Sequence, residues 1–135
     1  MSMYKSLVAT VLGATVLLGS ATAQAETQKP QFSKEQAFQM CSMFAYIANE
    51  AYKEHQANKT TKVAKQNLYK SIINAKAGKE EREFFTNIID ASVEDASKLP
   101  VPKTKQEKEQ ALKEYSFGVM EGCIEEMGYK VSDFK

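Results

Sequence analysis

The sequence predicts an all-α fold: an up-down-up-down four-helix bundle with a disulfide between its first and last helices. Three observations carry that expectation. Apolar residues recur at helical spacing in four segments separated by short polar or Pro- and Gly-containing breaks. The first and last of these segments each open on a capping box. The two cysteines, Cys41 and Cys123, fall on the apolar stripes of those same outer segments, and no internal repeat or low-complexity tract interrupts the pattern.

The first 25 residues have a different character. Residues 1–6 carry Lys5 and no acid, residues 7–18 are apolar, and Ala23-Gln24-Ala25 supplies the small-x-small pattern of a signal-peptidase site. The apolar run of about 12 residues is short against the roughly 20 that span a bilayer, so a secretory signal cleaved after Ala25 is expected and stable membrane insertion is not. No cysteine follows the run to take a lipid. The expected product, residues 26–135, is a single helical domain in a bacterial periplasm or secreted, where an even cysteine pair reads as a disulfide.

Residues 26–32 form a polar arm. Ser33 caps the first helix with Gln36 three residues on, and Phe32 is placed to staple onto Ala37. Ala37, Cys41, Phe44, Ala48 and Ala51 mark its inner face, widened by Met40, Met43, Ile47 and Tyr52, and the helix is expected to reach about His55. Asn58 or Thr60 is available to cap a second helix over about residues 61–77, with Val63, Leu68, Ile72 and Ala75 inward and Gly78 as its C-cap. Glu80, Glu81 and Glu83 suit the first turn of a third helix, where the exposed amides favour negative charge. Its inner face is Phe84, Phe85, Ile88, Ile89, Ser92, Val93 and Ala96, and Leu99-Pro100-Val101-Pro102 stops it. Thr104 with Glu107 opens the fourth helix, which carries Ala111, Leu112, Tyr115, Val119, Cys123, Ile124 and Met127 on one side and closes at Gly128. Gly118 and Gly122 weaken it by roughly 1 kcal/mol each, an expense that a close approach of the first helix would offset. Tyr129, Val131 and Phe134 are expected to fold back over the end of the bundle.

Charge excludes one class of partner. The chain carries 18 basic and 17 acidic side chains, and with Lys5 lost to the signal the two signs balance, so no nucleic-acid partner is expected. Locally the signs separate: residues 51–79 hold seven Lys and one Glu, residues 80–97 six acids and one Arg. The second helix therefore offers a partner surface of Lys62, Lys65, Tyr69, Lys70 and Lys76, unless its charge only complements the third helix. Tyr52, Tyr129 and Phe134 are aromatic additions to such a contact.

The residues for catalysis are sparse. The single histidine, His55, stands at a helix end among Lys, Glu and Gln and reads as solvated. Glu80/Glu81 and Glu125/Glu126 are adjacent in sequence and so point to different sides of a helix. No phosphate loop, nucleophile elbow or zinc motif is present, and no enzyme activity, cofactor or metal site is expected. Haem is disfavoured too, because C-x-x-C-H is absent and the last helix has no His. Sulfur is the exception: Met40, Cys41 and Met43 would face Met120, Cys123 and Met127, a soft set suited to Cu(I), although methionine at helical spacing also serves as core filler.

A signal, four helices and Cys41 and Cys123 in the outer helices resemble, in overall plan, the type VI secretion amidase immunity proteins, which are small, exported and helical. The resemblance implies a non-catalytic protein that acts by contact with another envelope protein, as an inhibitor does; no inhibitory loop motif matches, so no functional residue is carried over. The plan is also similar to the small acid-stress chaperones held by one disulfide, which implies an acid-responsive periplasmic chaperone as the alternative. A copper-binding protein ranks third.

Overall fold

A computed structural model describes residues 32–134, so the expected signal segment lies outside the described residues. The protein is all-α, with no strand among those residues. Its helices are α1 (Lys34–Gln56), α2 (Thr61–Ile72), α3 (Lys79–Ala96) and α4 (Lys105–Glu126), followed by a 3₁₀ turn at Val131–Phe134. Among the described residues no helix is long and apolar enough to cross a membrane.

The helix ends follow local chemistry. Ser33 and Gln36 exchange reciprocal bonds of 3.0 and 3.1 Å, and Thr104 and Glu107 do the same at 3.3 and 3.0 Å, so both capping boxes form as expected. Of the two residues available after α1, Thr60 is the N-cap of α2, accepting from the Val63 amide at 3.2 Å. Asn58 instead closes α1 in the left-handed region, φ 63°, where the Lys59 amide reaches the Glu54 carbonyl at 3.1 Å. Gly128, φ 91°, closes α4 in the same way, with the Tyr129 amide on the Ile124 carbonyl at 3.1 Å; both are Schellman ends.

The second helix is shorter than its periodicity suggests. It stops at Ile72, and Ile73 turns extended, φ −83° and ψ 123°. The Asn74 side chain then accepts from the Lys76 amide at 2.8 Å, a local bond that competes with helix continuation. Gly78 is accordingly the N-cap of α3, not the C-cap of α2. The inner face shifts with this end: Ala64, Leu68 and Ile73 are buried, while Val63 and Ala75, expected inward, are exposed.

The described residues divide into two compact units. One, Tyr46–Ser116, contains parts of all four helices and is a four-helix bundle in up-down-up-down order. Its core is Ile47, Ala48, Ala51, Tyr52, Ala64, Leu68, Ile88, Ile89, Val93, Ala96 and Tyr115. Antiparallel α1 and α4 are pinned by Ser116 donating to Asn49 at 2.9 Å and by Gln56 donating to the Lys108 carbonyl at 3.1 Å. Tyr52 and Tyr115 meet edge to face, ring centroids 5.3 Å apart. The proline connector after α3 is held by α1: Tyr52 donates to the Pro100 carbonyl at 2.7 Å and His55 Nε2 to the Leu99 carbonyl at 2.8 Å. His55 is therefore a half-buried anchor and not the solvated helix end expected of it.

The other unit joins residues 32–45 to 117–134. Cys41 and Cys123 form a disulfide with their Cα atoms 5.5 Å apart, tying the first and last helices as the sequence predicts. Around it Ala37, Phe44, Val119, Ile124 and Met127 are buried. Gly122 is buried too, and α4 runs unbroken through Gly118 and Gly122. The tail folds back: Tyr129 donates to the Phe32 carbonyl at 2.8 Å, and Phe134 stacks on Phe38 at 5.9 Å.

Two stability predictions arise. The disulfide spans 82 residues, and reducing it is expected to lower unfolding free energy by about 4–5 kcal/mol in urea titrations, the chain-entropy value for such a loop. Ser92 is fully buried and its hydroxyl has no hydrogen-bond partner among the described residues, so Ser92→Ala is expected to leave stability unchanged or raise it by about 1 kcal/mol in the same titration.

Candidate binding surface on the second helix

The 3.6-residue period divides α2 into a buried strip, two flanks and an outward face. Ala64 and Leu68 form the buried strip. On one flank Asn67 donates to Glu54 of α1 at 2.8 Å. The opposite flank meets α3, where Lys65 pairs with Glu94 at 2.8 Å and Tyr69 donates a short bond to Asp90. These contacts set the electrostatics. The bond to Glu94 raises the Lys65 pKa above its ordinary value and lowers that of Glu94. Burial, reinforced by the Asp90 carboxylate, pushes the Tyr69 phenol up to about 12.

The outward face is Lys62, Val63, Gln66 and Lys70, all exposed; Lys59 before the helix and Lys76 after it are exposed as well. Val63 is 38 % exposed, an apolar spot framed by lysines. Lys62 and Lys70 are eight residues apart, about 12 Å along the axis, roughly one and a half Debye lengths in physiological salt. Among the described residues none of these four lysines has an acidic group within ion-pair distance.

The five residues predicted as a partner surface thus separate. Lys65 and Tyr69 are spent on α3, as the charge pattern of the two helices allowed; Lys62, Lys70 and Lys76 face solvent. The aromatic additions are engaged elsewhere, Tyr52 and Tyr129 through their hydroxyls and Phe134 through Phe38. Val63, expected inward, belongs to the face instead: in helical projection residues 62, 63, 66 and 70 fall together. Comparisons with protein families, with curated proteins and with solved structures give no match to this chain.

Other surfaces offer less. In the unit of the disulfide, Phe38 is 48 % exposed and lines a groove of about 520 Å³ with Lys34, Glu35, Asp133 and Phe134. Its charges are of both signs, so it states no electrostatic preference.

A further ionisable pair of the four-helix unit joins α4 to α3. Tyr115, 1 % exposed, donates to Asp95 at 2.8 Å. Burial raises the Asp95 pKa, and the bond from Tyr115 opposes the shift without cancelling it. A raised folded value means that the fold binds this proton more tightly than the unfolded chain. The stabilisation is therefore fully present below about pH 3.9 and is lost as pH rises through the folded pKa. Asp95→Asn keeps an acceptor for Tyr115 and removes the titration. Its expected signature is stability near pH 7 equal to or above wild type, with less gain on acidification, read from denaturant midpoints across the acid range.

Proposed function

We propose that the protein is a non-catalytic binding protein of the cell envelope, exported by residues 1–25, that holds or blocks an acidic partner protein through the outward face of α2. The observation supporting this reading is Lys62 and Lys70 beside Val63 on the exposed helix face, with exposed Lys59 and Lys76 beyond its two ends, none of these lysines being paired with a carboxylate among the described residues. The balanced total charge makes such a face a local feature and not a by-product of a basic protein. A protein partner fits it better than a lipid surface, because the face carries no Trp, Phe or Leu to enter an acyl layer. The rigid bundle beneath favours binding, since a helix already held on three sides loses little conformational freedom on contact.

The chaperone alternative needs carboxylates whose protonation loosens the fold. Asp95, the half-buried carboxylate bonded to Tyr115, has the opposite sign, so acid strengthens that point of the structure, and Glu94, whose pKa Lys65 lowers, has the required sign only at an exposed ion pair.

The test uses the oxidised, signal-free protein on a support exposed to envelope extract. The wild type is expected to retain one stoichiometric partner, released as salt rises. The Lys62→Glu/Lys70→Glu variant, altered only at exposed positions, is expected to bind at least about tenfold more weakly, equivalent to 1.4 kcal/mol or more. Equal retention by both proteins, or a blank at high protein concentration, removes this reading.

A further inference from the structure

We propose that, once the disulfide is reduced, Cys41, Cys123 and Met127 form a buried three-sulfur site for Cu(I). Cys41 and Cys123 are fully buried and Met127 is 5 % exposed. The Met127 thioether lies 3.9 Å from the Cys41 sulfur in the disulfide-bonded protein. A metal held at about 2.3 Å from each of three sulfurs in a trigonal plane separates them by about 4 Å, so one edge of that triangle already exists. The second cysteine sulfur is bonded to the first, and breaking that bond frees it to swing outward to the third corner.

The chemistry balances in two steps. A dithiol reductant passes two electrons to the Cys41–Cys123 bond, becoming a cyclic or protein disulfide itself and leaving two protonated thiols. Cu(I) then displaces both thiol protons, giving two Cu–thiolate bonds with the neutral Met127 thioether as third ligand. No electron moves in the second step. The donor set selects the ion: two thiolates and a thioether suit a soft monovalent metal, whereas Zn(II) prefers four nitrogen, oxygen or thiolate donors. Among the described residues no His, Asp or Glu joins the cysteines in a group of three. Burial also keeps water from the fourth position. Disulfide and metal therefore exclude one another at the same sulfurs, and the oxidised protein has no such site.

Anaerobically reduced protein, freed of reductant and checked for helicity, is expected to take one Cu(I) per chain from a chromogenic chelator, releasing two protons. The disulfide form and Cys123→Ser are expected to take none at the same chelator concentration. Met127→Leu, a volume-conserving swap of the kind that cores tolerate best, is expected to hold Cu(I) at least tenfold more weakly than reduced wild type. Overturning results are equally plain: no withdrawal by the reduced wild type, equal affinity in Met127→Leu, or displacement of copper by equimolar Zn(II). If reduction unfolds the chain, its thiolates bind copper without Met127 and the equal-affinity result follows, which rejects the proposal. The outcome is independent of whether α2 binds a partner.

Discussion

The bond between Cys41 and Cys123 is the constraint on which the unit around it depends. That unit contains roughly 30 described residues, one end of α1, one end of α4 and a 3₁₀ turn. Chains below about 40 residues rarely bury enough apolar surface to hold themselves without a crosslink or a metal. The side chains available here, Ala37, Phe44, Val119, Ile124 and Met127, are few. A covalent tie spanning 82 residues removes loop-closure entropy that otherwise works against so small a core. The Schellman end at Gly128 then aims the tail so that Tyr129 reaches the Phe32 carbonyl and Phe134 reaches Phe38. Ordering of the tail thus follows from ordering of the helix pair.

The four-helix unit is specified differently, by polar bonds set into an apolar interior. Leu99-Pro100-Val101-Pro102 contains two residues without an N–H, so the connector cannot satisfy itself by local structure. Its carbonyls at Leu99 and Pro100 are instead satisfied by His55 and Tyr52, one helical turn apart on α1. Gln56, 6 % exposed, and the Asn49–Ser116 pair fix α1 against α4. Apolar contact alone tolerates sliding of one helix along another, whereas each of these bonds exists at one height only. Displacing them by a turn would leave buried donors unpaired, at about 1–3 kcal/mol each.

What was legible in the sequence was what local chemistry and period determine. The capping boxes at Ser33 and Thr104, the closing glycine at Gly128, the apolar stripes of α1 and α4 and the cysteine pairing all follow from near neighbours or from an even count of cysteines on facing stripes. The end of α2 was not legible, because residues 73–77 continue a helical period that the Asn74 side chain interrupts by bonding the Lys76 amide. Nor was the role of His55, whose partner is 44 residues away. The candidate surface was half legible: a lysine-rich helix is visible in composition, but which lysines are free depends on where Glu94 and Asp90 come to lie.

That last point carries the functional argument. A basic helix beside an acidic one would be self-sufficient if its lysines all lay on the shared flank. They do not, because 3.6 residues per turn sends Lys62 and Lys70 about 120–160° away from the buried strip of Ala64 and Leu68 and toward water, while Lys65 and Tyr69 fall toward α3. The ion pair at Lys65 therefore leaves the outward lysines uncompensated, and it also fixes the helix that carries them. For the proposed acidic partner, a backbone spacing of about 12 Å between the two lysines favours carboxylates about two helical turns apart, within the reach of the flexible lysine stems. A flexible polyanion meets that spacing only by losing conformational entropy, and a folded acidic surface meets it without that loss.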